Sequence, residues 1–167
     1  MHRLSADGAE LTVSSIVREA GVSRASFYAH YSGLDELAAQ LMRGAFIAIA
    51  ADYGASDDPP AVALRVSQER LVGHFVDNLA LYRGVSALPV SKDGYLAGVR
   101  AMAALIEGGL ASHPEAIAHG SVAATARYIA SAAFGLIDAW LTSEIELDPD
   151  ELVERLVVLL PPWFSGV

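Results

Sequence analysis

Residues 12–37 read TVSSIVREAGVSRASFYAHYSGLDEL, and nearly every position in the stretch has a local structural job. Thr12 suits a helix N-cap, and Val13, Ile16 and Val17 put apolar side chains on one face of a short helix to about Ala20. Gly21 can take the left-handed conformation that closes such a helix, with Val22 tucked beneath the turn and Ser23 capping the next one. The second helix, roughly Arg24 to His30, turns Phe27 inward and leaves Arg24, Ser26 and Tyr28 on other faces before Ser32 and Gly33 interrupt it. A third helix follows, with Asp35 and Glu36 in its first turn, where the helix dipole favours negative charge. Two short helices joined by a tight glycine-containing turn make a helix-turn-helix, whose second helix fits a DNA major groove. The same spacing also serves as a plain corner in a helical bundle.

The run AGVSRASFYAHYSGLDEL, with its ending Tyr28-Ala29-His30-Tyr31, resembles the DNA-binding signature of the TetR family of bacterial transcriptional regulators over about residues 4–43. The resemblance implies Arg24, Ala25 and Ser26 near base edges and Tyr28 and His30 on phosphates, with Thr12, Ser23 and Tyr31 completing the DNA-facing set. Two positions depart from the family pattern: Ala25 stands where Gly, Pro or another small residue is usual, and Leu34 where a Lys is frequent. Losing that Lys removes one phosphate contact and flattens the salt dependence of binding. Family members also carry a full helix before the motif, of which only His2 to Ala6 could be the tail here. The expectation is an N-terminally shortened head, mobile and weakened in DNA binding, because so short a helix is marginal in water.

Charge agrees with this division once it is split along the chain. The net charge is −9, but residues 1–44 hold four arginines against five acidic residues, so −8 falls on residues 45–167. A nearly neutral head on an acidic body relies on geometry and paired heads more than on bulk attraction to DNA. With 53% hydrophobic residues the chain is foldable, and no apolar run reaches the eighteen or so residues that span a bilayer. The N-terminus lacks the long apolar segment of a secretory signal, which argues for the cytoplasm. Cysteine is absent, which excludes disulfides and thiolate metal sites.

The rest of the chain predicts an all-α fold, an N-terminal helix-turn-helix head at 1–44 on a dimerising helical bundle at 45–167. Residues 34–53 read as one long helix leaving the head, and GASDDPP at 54–60 is the clearest break. Ala61 to Tyr82 and Tyr95 to Leu110 have helical period; Glu115 to about Glu144 reads as the longest helix and Glu151 to Leu160 as the last. The small-residue run around Ala130, and a terminal helix apolar on more than one face, point to a four-helix dimer interface made by Ala130, Phe134, Ile137, Leu152, Leu156, Leu159 and Leu160. Gly94-x-x-x-Gly98 reads as close packing or a helix start.

No catalytic constellation is visible: there is no Gly-x-Ser-x-Gly elbow, phosphate loop or His-Glu-x-x-His, so a non-enzyme without cofactor is expected. Glu115 and His119 lie one turn apart but lack a third ligand, so no metal site is expected. Helical bundles place ligand sites between helices, and the resemblance implies a small-molecule effector site in the body. Candidate wall residues are Phe46, Phe75, Tyr82, Met102, Tyr128 and Trp140, with His74 as polar anchor, although side chains at such helical spacing are more often core than pocket. Three readings follow: a ligand-responsive regulator, a repressor binding a palindromic double-stranded operator as a homodimer; a helical binding module without effective DNA binding; or an enzyme with an unrecognised site, against which the missing catalytic constellation counts.

Overall fold

The computed structural model describes residues 12–86, 92–110, 121–161 and 163. The expected helix tail at His2 to Ala6, the loop at 112–114 and the Glu115/His119 pair lie outside them. Among the described residues there are eight helices and no strand: α1 Val13–Ala20, α2 Arg24–Tyr28, α3 Leu34–Gly54, α4 Pro60–Asp77, α5 Leu79–Ser86, α6 Lys92–Leu110, α7 Val122–Leu141 and α8 Pro149–Val158.

Local chemistry accounts for the ends. Gly21, at φ 68°, closes α1, and the Val22 amide donates to the Val17 carbonyl at 3.0 Å. Pro60 opens α4 and Pro149 opens α8, each in a first turn where no amide partner is required. Asp148 and Glu151 cap α8 reciprocally, at 2.8 and 2.9 Å.

Several expected helices have different bounds: α2 ends at Tyr28 and α6 begins at Lys92, and three others differ more. The stretch expected as one helix from Ala61 to Tyr82 divides at Asn78, whose side-chain amide donates to the His74 carbonyl at 2.9 Å and competes with the helical ladder. The longest described helix is α3, not the one expected from Glu115 to Glu144. Its counterpart α7 ends at Leu141, where Thr142 Oγ1 donates back to the Asp138 carbonyl at 2.8 Å and Ser143 turns left-handed at φ 60°. The last helix starts at Pro149 and stops at Val158, two residues early at its far end.

The long helix α3 runs unbroken through position 44, so head and body share one rigid element, and the 54–60 break separates α3 from α4 inside the body. Around it, α3 packs on α4, α5 and α6, α6 on α7, and α4 on α8. One apolar cluster runs through all of this. It begins at Ile16 of α1, takes in Phe46, Phe75, Met102, Phe134 and Trp140, and ends at Leu156 of α8. Burying each such side chain contributes about 1.5–3 kcal/mol. Ile16 of the head belongs to that cluster, which reaches the body through α3. Among the described residues no helix is long and apolar enough to cross a membrane.

Candidate nucleic-acid interface

The second helix of the head, α2, is held by what lies on either side of it. Ser23 Oγ accepts from the Ser26 amide at 3.0 Å, capping its start. Phe27 is buried and meets the ring of Tyr31 at 5.3 Å, which anchors its inner face. At the far end the carboxylate of Glu36, in the first turn of α3, accepts from both the amide and the hydroxyl of Ser32 at 2.7 Å. Those two bonds, with help from Gln40 and Arg43, hold the Glu36 carboxyl below its ordinary range, so the clamp is charged at neutral pH.

What remains outward is the set expected to meet DNA. Thr12, Ser23, Arg24, Ala25, Ser26, Tyr28 and His30 are exposed, and Tyr31 is half-buried. They do not have equal freedom. Thr12 is engaged in a reciprocal cap with Ser15, and the Ser23 and Ser26 hydroxyls bond each other at 2.9 Å. Arg24 bridges the two helices: its guanidinium donates to Ser14 Oγ at 3.2 Å and lies 5.9 Å from the centre of the Tyr28 ring. Ser14 is a head residue that sequence reasoning missed; it sits ten positions before Arg24, and only the turn geometry brings the two together. Val22, expected beneath the turn, is 48% exposed, because the turn closes through backbone bonds and leaves its side chain outside.

Next to the head is a cavity of about 480 Å³ between α3, α4, α5, α6 and α7. That volume suits a drug-sized ligand. Phe46, Phe75 and Tyr82 are among the residues that line it, joined by Met42, Gly98, Phe134 and Leu141, and by Asp35, Glu36, Arg43 and Asp138, which sequence reasoning did not assign to it. The other four wall candidates lie elsewhere. Met102 is buried core, and Trp140 is buried with its indole donating to the Leu147 carbonyl at 2.9 Å. Tyr128 is 72% exposed on the outside of α7, because it points away from α6. The His74 ring bonds the Tyr82 hydroxyl at 2.7 Å, so it braces a wall residue instead of reaching a ligand. Burial pushes the His74 pKa down and the Tyr82 pKa up, which keeps both neutral.

The residues expected at a dimer interface separate into two groups. Ala130, Phe134, Ile137, Leu152 and Leu156 are buried within the chain itself, since the inner faces of α7 and α8 are already covered by α6 and α4. Leu160 is half-buried, whereas Leu159 is 71% exposed beside Val158 at 67%. On α7 the exposed positions are Ala123, Ala124, Tyr128, Ser131, Ala132 and Gly135. Among the described residues no group of three or more histidines and carboxylates could hold a metal ion.

Compared with known proteins, residues 4–41 match the family model of bacterial regulatory proteins, tetR family. No curated protein and no solved structure matches the chain. The matched segment is the one that builds α1, the glycine turn, α2 and the first turns of α3, and it is the family's N-terminal helix-turn-helix domain. With that head on an all-helical body, the chain is a DNA-binding transcriptional regulator carrying the N-terminal domain of the tetR family.

Proposed function

We propose that the chain is a ligand-responsive repressor that binds a palindromic operator as a homodimer and works in the cytoplasm, beside its DNA. The observation that carries the ligand-responsive part is the double position of Glu36. It lines the cavity, and it clamps Ser32 in the turn that follows the recognition helix. An occupant that moves the first turn of α3 therefore acts on the head directly. It regulates only if it prefers the conformation in which the heads are misplaced for DNA.

Two-fold symmetry supplies the rest. Paired recognition helices meet half-sites one or more helical turns apart, which asks for an inverted repeat. The outward face of α7 at Tyr128, Ser131, Ala132 and Gly135, with Val158 and Leu159 at the end of α8, supports the pairing, because it leaves apolar and small side chains uncovered in a single chain. Arg24 is the base reader in this account, and Tyr28 and His30 meet phosphates. The test is a gel shift with the DNA upstream of the chain's own coding sequence, beside light scattering of the free protein. A retarded band and a mass of about 35 kDa, twice the 17.6 kDa chain, are expected. A monomer that retards no DNA contradicts the proposal and leaves a helical binding module.

A further inference from the structure

The cavity has a sign as well as a size. Its walls are mostly apolar, but three carboxylates, Asp35, Glu36 and Asp138, line it against one guanidinium, Arg43. Glu36 is occupied by Ser32. Asp138 is different: it is half-buried on α7, and among the described residues its carboxylate has neither an ion pair nor a hydrogen bond. The same holds for Asp35, which is exposed at the solvent end with Arg43. A partly buried carboxylate without a partner is costly to leave in an apolar wall, and an opposite charge from a ligand offsets that cost. Besides the charged groups, the wall carries two hydroxyls: that of Tyr82 is taken by His74, and that of Ser86 adds no charge.

We propose that the cavity receives an organic cation with a bulky apolar body, its charge met by Asp138 and its body held by Phe46, Phe75 and Phe134. The inference rests on the effector reading above and adds the chemical class to it. Such a ligand inserts next to the start of α3. Its charge also competes with Ser32 for Glu36, which ties occupancy to the position of the recognition helix. An anionic ligand of the same shape meets three carboxylates and is excluded.

Tetraphenylphosphonium and tetraphenylborate have nearly the same shape and opposite charge, so calorimetric titration of the full chain with each isolates the sign. The cation is expected to bind at least tenfold more tightly than the anion, a difference of about 1.4 kcal/mol. Asp138→Asn, which keeps the side-chain shape, should weaken the cation at least fivefold and leave neutral triphenylphosphine oxide unchanged. Equal binding of the two ions, or an unaltered cation affinity in the Asn variant, overturns the assignment of a cationic ligand while the cavity remains an effector site. Binding of the neutral compound alone overturns it in the same way. If none of the three binds, the effector reading falls with it.

Discussion

On the proposed reading Arg24 has to do two things, and its position makes them compete. In the free chain its guanidinium is shared between Ser14 Oγ and the face of Tyr28, contacts that hold the side chain across the head surface. Reading a base means exchanging both for a bidentate contact, so the arginine is preorganised near its target but not committed to it. Arg24→Ala should cost about 1–3 kcal/mol in operator affinity and relax base preference at one position per half-site, measured by competition gel shifts. Unchanged specificity would remove Arg24 from the reading set. In the body, His74 offers a second residue-level test. Its pKa is lowered by burial, so the unfolded chain takes up a proton more readily than the folded one. The stability this contributes is complete above the ordinary histidine value of 6.5 and is lost as pH falls below it. Thermal melting should therefore decline from pH 7 toward about pH 5, and His74→Gln should flatten that slope.

At the scale of elements, α6 and α7 set the shape of the cavity through one close approach. A Cβ at Gly98 would stand 2.7 Å from the far end of the buried Phe134 ring, which itself packs edge-on against Phe46. Replacing Gly by Ala in a helix gains about 1 kcal/mol of propensity, whereas forcing the Phe134 ring off its packing against Phe46 costs about 1–3 kcal/mol. The packing cost wins, so Gly98→Ala should lower the melting temperature and displace Phe134 into the cavity. Gly108→Ala on the same helix, where nothing lies within 4 Å, should raise it. Chemical denaturation of the two variants side by side checks the opposite signs.

Much of this level was legible beforehand. The caps at Thr12, Ser23 and Gly21, the inward Phe27 and the long helix from Leu34 follow from residue type and period alone. What sequence could not supply is which face of an apolar helix meets its own chain. Ala130, Phe134 and Ile137 look the same by period whether α6 or a partner covers them, and α6 covers them. The Glu36 clamp had a signal, an acidic residue three positions after the Gly33 cap, but its reach to Ser32 depends on how the turn folds.

For the whole molecule, the one helix α3 shared by head and body carries the head, so a movement of α3 in the body moves the head with it. That arrangement matters only if two heads must meet DNA together. The acidic charge of the body works in the same direction: it discourages indiscriminate attachment and, in the proposed dimer, leaves affinity to the paired fit. Selection of bound duplexes from a randomised pool, with the full chain as bait, measures that fit most directly. The account predicts enrichment of an inverted repeat with half-site centres about 10 base pairs, or a multiple of that, apart, and loss of the enriched bases with Arg24→Ala. Enrichment of a single unrepeated site, or of no sequence at all, would contradict it.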